Sequence, residues 1–274
     1  MPRVQVVHWN PRVRLGSRGL VRRLPGLRRL NNFGDLLGPA IVARILAERG
    51  IDDRAAVADR RLLTVGSIMK LAKTGDVVWG TGVNGKSIGD AHAYTSLDVR
   101  AVRGPLTREF LKNRGIDAPE VYGDPGLLVS RLWPEVDVRE DRRSTRVTIV
   151  PNFHDYEQVA GDARVLNPRS PLSHCIRTIA GSDLVVGTSL HGIVLAESYG
   201  IPARLVRSLS EPDFKYRDYY LGTGREHVEV AASEAEAIEM GGERPPVFDA
   251  DLLMTAFPVD LWRTGRLDAG DAPW

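Results

Sequence analysis

His191 is the residue of this sequence best placed to move a proton. It lies in the stretch Gly181 to Pro202, GSDLVVGTSLHGIVLAESYGIP. Leu184-Val185-Val186 is a short β-branched run of the length of a buried parallel strand. Gly187 lets the backbone turn out of the sheet. Thr188 and Ser189 then stand where N-caps stand, ahead of an apolar pattern at Ile193, Val194, Leu195, Ala196 and Tyr199 that Gly200 and Pro202 end. His191 and its neighbour Leu190 are thus expected in the first turn of a helix above a strand's carboxyl end. Open α/β sheets bind ligands there, and the unpaired N–H groups of that turn favour an anion.

Three other residues have chemistry to offer. Asp35, in the turn Asn31-Asn32-Phe33-Gly34-Asp35, either caps the helix that follows or holds a carboxylate at a cleft edge to accept a proton or bind a sugar hydroxyl. Arg103 ends an expected strand just ahead of a helix N-terminus, a second carboxyl-end position. Lys215, one of only five lysines beside thirty-two arginines, lies among aromatic residues in an expected loop from Ser208 to Tyr220. Other patterns are weaker. Gly80 to Ser87, GTGVNGKS, fits the phosphate-binding pattern G-x-x-x-x-G-K-[ST] and follows a strand. A true P-loop, however, opens a helix at its Lys-Ser pair, and Ile88-Gly89-Asp90 with the β-leaning Tyr94-Thr95-Ser96 does not read as one. It is taken as a glycine turn. Ser189 is not a nucleophile elbow, because histidine stands where G-x-S-x-G needs its second glycine. The remaining histidines share no ligand spacing, the carboxylates form no metal-binding pattern, and no metal or cofactor is expected.

The elements that would position these residues alternate. Strands are expected at Val4 to His8, Leu62 to Val65, Asp76 to Trp79 and Leu97 to Arg103. Helices follow Asp35 and run from Leu106 to Arg114, with Pro105 as first residue. After a polar, non-periodic stretch from Arg131 to Ser144 the rhythm restarts. Strands are expected at Arg146 to Val150, Arg164 to Leu166, Leu184 to Val186 and Ala203 to Val206, and helices at Tyr156 to Ala160, Leu172 to Ile179, Glu234 to Met240 and Asp249 to Ala256. The fold class is α/β. The reading is of two Rossmann-like domains, 1–140 and 145–260, facing across a cleft, with 261–274 a disordered tail.

Composition narrows the class. Hydrophobic content of 43% and charged content of 26% are those of a soluble globular protein. The single cysteine, Cys175, excludes an internal disulfide framework and fits a reducing compartment, and no signal-peptide or membrane-spanning run is present; a cytoplasmic location is expected. Arg12 to Arg29 holds seven arginines and no acidic residue. It reads either as contact with an anionic membrane surface or a phosphorylated acceptor, or as a solvated loop. Without interleaved aromatics, nucleic acid is not an expected partner.

In order along the chain, Asn32-Phe33-Gly34-Asp35, Gly66-Ser67-Ile68, Trp79-Gly80-Thr81-Gly82, Val102-Arg103-Gly104-Pro105 with Thr107-Arg108, Gly123-Asp124-Pro125 and Ser189-Leu190-His191-Gly192 resemble the polysaccharide pyruvyl transferase family. The resemblance covers about residues 31 to 222. It implies a fold like that of two-domain GT-B glycosyltransferases, with 1–140 as the acceptor side and 145–260 as the donor side, phosphoenolpyruvate as donor, and a saccharide acceptor, polyprenyl-linked in one reading. Carried onto this chain, it implies His191 as acid/base, Asp35 orienting or deprotonating the acceptor diol, and a substrate site including Gly34, Arg103, Thr188, Ser189, Leu190 and Lys215. One departure matters: Ser189 stands where the family often has a basic residue, so Arg103, Lys215 or the amides of Thr188 to His191 must supply that charge. The rival readings are a nucleotide-sugar glycosyltransferase, a P-loop kinase or ATPase, and a catalytically silent sugar-binding protein.

Overall fold

A computed structural model describes residues 2–14, 27–134 and 147–262. Most of the arginine-rich segment, the expected linker from residue 135 on and the C-terminal tail from residue 263 on lie outside these residues. Arg131 and Leu132 are helical and Leu261 and Trp262 are packed into the core, so linker and tail do not start where expected. The chain is α/β with parallel sheets. Strands β1 (Val4–Val7), β4 (Arg60–Leu63), β5 (Val77–Trp79) and β6 (Asp98–Ala101) form one parallel sheet in that spatial order. A bridge from Val102 to Tyr122 extends it. Between β1 and β4 the chain makes a small antiparallel pair, β2 (Arg12–Arg14) with β3 (Leu27–Arg29), and then helix α1 (Phe33–Glu48). Helix α2 (Pro105–Lys112) follows β6 with proline in its first turn, and α3 (Val129–Leu132) closes this half.

The second sheet contains β7 (Val147–Ile149), β8 (Leu184–Gly187) and β9 (Ala203–Leu205), all parallel. Bridges at Ile149–Val165 and Val206–Ala231 add a neighbour on each side. Numbered along the chain, the spatial order of these five segments is 2-1-3-4-5. The direction of winding reverses between β7 and β8, which opens a crevice beyond their carboxyl ends. Helices α4 (Tyr156–Val159) and α5 (Leu172–Ala180) lead into β8, and α6 (Leu190–Ser198) leaves it. Helices α7 (Phe214–Gly222), α8 (Glu234–Met240) and α9 (Ala250–Thr255) follow.

The core crosses from one sheet to the other. Phe33, Leu37, Ile41 and Ile45 of α1 belong to the same apolar cluster as Val185 of β8 and Leu190, Ile193 and Val194 of α6. Both helices are apolar on most of their circumference because both are buried between layers. Backbone bonding follows the same path, since the Phe33 N–H that opens α1 donates to the Pro168 carbonyl at 2.9 Å.

One element departs from expectation. Ser208 to Tyr220 reads as a loop, yet Phe214–Gly222 is a helix. Its Lys215, Tyr216, Asp218, Tyr219 and Tyr220 are all buried, so charged residues sit inside and no polar face alternates with an apolar one. Helical periodicity is therefore invisible in the sequence.

Candidate functional site

A pocket of about 380 Å³ opens at the carboxyl ends of both sheets. The first sheet contributes Trp9 after β1, Asp35 in α1, Ser67 after β4 and Lys86 after β5; the second contributes Asn152 after β7 and Ser189 and His191 after β8. This is the crevice that the reversal of winding between β7 and β8 predicts. A larger hollow of about 850 Å³ runs along β1, but it gathers no histidine–carboxylate–lysine set facing a strand end.

His191 stands on the first turn of α6. Ser189 is the N-cap, accepting the Gly192 N–H on its hydroxyl at 3.3 Å, while its own N–H donates to Val150 O at 3.0 Å. The N–H groups left for a ligand in this turn are those of Leu190 and His191. The imidazole sits between two glycines. A Cβ on Gly34 would stand 2.2 Å from His191 Nδ1, and one on Gly66 would stand 3.9 Å from its Cε1 and Nε2. The Asn-Phe-Gly-Asp and Gly-Ser-Ile segments thus make room for the ring. Nε2 is buried and has no hydrogen-bond partner, an uncommon state for a buried polar atom and one that a ligand would relieve.

Electrostatics set His191 apart from an ordinary histidine, which titrates near neutrality. Burial, then the charges of Lys215 and Arg103, push the His191 imidazole down to about 3, so it is neutral at pH 7. Asp35 moves the other way. Burial raises its carboxyl to about 6, against the lowering effects of Asn32 and Lys215. Asp35 does not cap α1. Asn32 is the N-cap residue, and its Nδ2 donates to Asp35 Oδ2 at 2.6 Å, which aims the carboxylate at the pocket.

Lys215 lines the pocket, with its Nζ 3.0 Å from Glu211 Oε2 and 4.9 Å from the centre of the Tyr216 ring. Arg103 and Thr188 lie behind the wall. Arg103 is fully buried and its donors are taken: Nε to Asp218 Oδ2 at 3.0 Å, Nη1 to Ser67 Oγ at 2.6 Å and Nη2 to Val83 O at 2.9 Å. Asp218 also accepts from Thr107 N and Oγ1. Three glycines make this tie possible. A Cβ on Gly82 would stand 2.3 Å from the Arg103 guanidinium, one on Gly104 1.8 Å from Asp218 O, and one on Gly222 2.3 Å from Arg103 O. Thr188 accepts the Asn152 N–H on its hydroxyl and the Tyr216 hydroxyl on its carbonyl. Both residues therefore shape the site from outside it, while His191, Asp35, Ser189, Leu190 and Lys215 share one pocket.

The pattern Gly80 to Ser87 forms no P-loop. Its Lys-Ser pair lies in a single 3-10 turn, Gly85–Ser87, capped by the Asn84 side chain, so the amides of a helix N-terminus are not there to cradle phosphates. Among the described residues no group of histidine, cysteine or carboxylate side chains could hold a metal ion.

The motif segments thus converge in space: Gly34 and Gly66 on His191, Gly82 and Gly104 on the Arg103–Asp218 tie, and Gly80 on Pro125. The sequence model of the polysaccharide pyruvyl transferases matches residues 32–210, more than half of the chain. The protein belongs to the polysaccharide pyruvyl transferase family. It is 32% identical over 181 residues, 61% of its length, to the succinoglycan biosynthesis protein ExoV of Rhizobium meliloti (strain 1021), of which it covers 54%. It is 28% identical over 172 residues, 57% of its length, to an uncharacterized protein of Acanthamoeba polyphaga mimivirus, of which it covers 57%. The chain spans about half the length of these curated relatives. Among solved structures, a functionally uncharacterized protein from Klebsiella pneumoniae aligns over 80% of this chain and 87% of its own, with 11% identity and a TM-score of 0.42.

Lys86, Glu211 and Asp218 are site residues that sequence reasoning missed. The first was set aside with the false P-loop, and the other two were hidden in the unrecognised helix α7 and the approach to it. Gly34 carries a prediction. Gly34→Ala would displace the imidazole, and any turnover that depends on His191 is expected to fall roughly a hundredfold with little loss of helix α1. Steady-state rates and the His191 ring signals in an NMR spectrum would check this; an unmoved ring would contradict the packing argument.

Proposed function

We propose that the protein transfers a pyruvyl group from phosphoenolpyruvate to two hydroxyls of a sugar in an exopolysaccharide repeat unit, forming a cyclic ketal and releasing phosphate. The observation that carries this reading is the buried, unpartnered Nε2 of His191 in a pocket that also holds Asp35 and lysine side chains. Family membership supports the reaction class, and the similarity to the succinoglycan biosynthesis protein ExoV favours an exopolysaccharide acceptor. A cytoplasmic reaction fits the donor. No helix among the described residues is long and apolar enough to cross a membrane. The GT-B-like reading, two Rossmann-like domains across a cleft, is supported by the pocket's position at the carboxyl ends of both sheets.

The chemistry assigns each group a task. Protonation of the donor's methylene carbon generates positive charge at C2, and an acceptor hydroxyl bonds to C2 as it gives up its proton. The C2–O bond to phosphate then breaks, and the second hydroxyl closes the ketal. One hydroxyl proton replaces the one spent on the methylene and the other leaves with phosphate. The neutral imidazole of His191 is poised to take the first hydroxyl proton. The donor's negative charge would raise its pKa by opposing Lys215 and Arg103, so that His191 could also deliver a proton. Asp35 orients the diol. The Leu190 and His191 amides and Lys215 bind the donor's oxyanions.

Incubating the protein with phosphoenolpyruvate and lipid-linked oligosaccharides should give a pyruvylated product by mass spectrometry with equimolar phosphate. Phosphoenolpyruvate, but not a nucleotide sugar, should protect the protein against unfolding. The reverse pattern would favour a glycosyltransferase instead.

Asp35 also has a stability signature. Its folded-state carboxyl, at about 6, lies above the ordinary aspartate value of 3.8. Both states are protonated below pH 4, so the cost is absent there. It grows as pH rises through the interval to 6, where only the unfolded chain ionises readily, and is complete above it. Asp35→Asn is therefore expected to stabilise the fold at pH 7 by roughly 1 kcal/mol, part of the full shift because the side chain is partly exposed. No gain is expected at pH 4, and acceptor turnover should fall. Denaturant titrations at the two pH values test this; equal effects at both would show that the carboxyl carries no burial cost.

A further inference from the structure

Of the chain's five lysines, three line the pocket: Lys70, Lys86 and Lys215. None of its thirty-two arginines does so among the described lining residues. Lys70 is paired with Asp90. Lys86 and Lys215 share one carboxylate: Glu211 Oε1 stands 2.5 Å from Lys86 Nζ, and Oε2 stands 3.0 Å from Lys215 Nζ. The side chain of Glu211 is 8% exposed, that of Lys215 11% and that of Lys86 47%. Lys86 comes from the turn after β5, Glu211 from the approach to α7 and Lys215 from its first turn, so the arrangement joins the two halves of the chain. Gly85 permits the approach, since a Cβ there would meet Pro212 Cβ at 2.8 Å and Phe214 Cβ at 3.1 Å.

A carboxylate held between two ammonium groups at a pocket wall presents the same contacts as one end of a small oxyanion ligand. We propose that Lys86 and Lys215 form a two-cation clamp for the phosphate of the donor, and that Glu211 is its resident counter-ion, exchanged for that phosphate on binding. This rests on the pyruvyl-transfer reading for the donor's identity, though not for the clamp's affinity for phosphate. The clamp supplies the charge missing at Ser189. Arg103 cannot do so while its guanidinium is committed to Asp218, Ser67 and Val83. A phosphate has the advantage over Glu211 of more negative charge and more acceptor oxygens for the same two ammonium groups, and it can reach the free N–H groups of Leu190 and His191 as well. Lysine suits the task because a flexible stem can follow one anion or the other, whereas a guanidinium fork would favour the carboxylate it already holds.

The clamp predicts opposite signs for its two members. Inorganic phosphate alone is the first probe, read as protection against thermal unfolding and as a dissociation constant by calorimetry. Lys86→Gln is expected to weaken phosphate binding roughly tenfold, the loss of one charge-assisted hydrogen bond. Glu211→Gln is expected to tighten it severalfold by removing the competing anion. Lys112→Gln, away from the pocket, is the control, and melting temperatures without phosphate establish that each variant is folded. Weaker phosphate binding in Glu211→Gln would overturn the exchange, because a residue that only positions the two lysines gives that sign. Unchanged binding in Lys86→Gln would overturn the clamp. If Glu211→Gln fails to fold, Glu211→Asp replaces it: a shortened carboxylate that cannot span both ammonium groups should also bind phosphate more tightly, and weaker binding again overturns the exchange. Transfer from phosphoenolpyruvate is the second readout. Lys86→Gln should raise KM for the donor with little change in kcat. Should phosphate binding follow the predicted signs while wild-type protein transfers no pyruvyl group, the clamp stands and the donor assignment falls.

Discussion

His191→Ala is expected to lower kcat for the proposed pyruvyl transfer by roughly a hundred- to ten-thousandfold, the usual worth of a positioned acid/base. The structural grounds are specific. The ring is wedged against Gly34 and faces Gly66, and its Nε2 is buried without a partner. Because Lys86, Lys215 and the α6 amides remain, donor affinity should change far less than kcat, and that split separates lost chemistry from lost binding. The substitution also has a pH signature in stability. In the unfolded chain the imidazole takes up a proton as pH falls below 6.5, whereas in the folded protein it resists until about 3. Wild-type protein therefore loses stability as pH falls through that interval, and the contribution is intact above it. His191→Ala should lack this acid-dependent loss and differ at pH 7 only through its packing defect. A variant with wild-type turnover would remove His191 from the mechanism.

Arg103→Ala should cost the fold about 3–5 kcal/mol, the largest stability effect expected of any single change near the site. Arg103 and Asp218 are both fully inaccessible and 2.9 Å apart. Removing the guanidinium strands a carboxylate that retains only Thr107 as a hydrogen-bonding partner. Ser67, which lines the pocket, would also lose its bond to Nη1. The paired replacement Arg103→Met with Asp218→Leu should recover much of the loss, because the destabilisation comes from the uncompensated charge rather than from the absence of the pair. Denaturant unfolding of the single and double variants would measure this. A loss below about 1 kcal/mol for Arg103→Ala would mean that the guanidinium leaves Asp218 easily, and would return it to the list of candidate donor ligands.

These two residues show what the local sequence could reveal. Around His191, composition determined nearly everything local. The β-branched run gave β8, Gly187 the exit from the sheet, Ser189 the cap and Gly200 the helix end. The β8–His191–α6 unit is legible because strand, cap and helix signals are short-range and agree. The same holds for α8, where Ser233 caps from its side chain, and for Pro105 opening α2. Arg103 shared the favourable position at a strand end, yet its charge was already claimed by Asp218, 115 residues away. Nothing near Arg103 in the sequence announces that partner.

The sequence by itself determined the α/β class, the strand-end position of His191 and the ordered segments that mark the family. Only the tertiary structure decided which charged groups face the pocket. Lys86 and Lys215 reach it through Glu211, whereas Arg103 is sealed behind it. The physical reason is that backbone preferences are local, so they can be read from neighbouring residues. Charge pairing and desolvation depend on what distant segments bring within a few ångströms. Helix α7 shows both sides of this. Burial of its charged residues by partners elsewhere erased the periodicity that would have revealed it, and those same partners determine which of its charges remain available to a ligand.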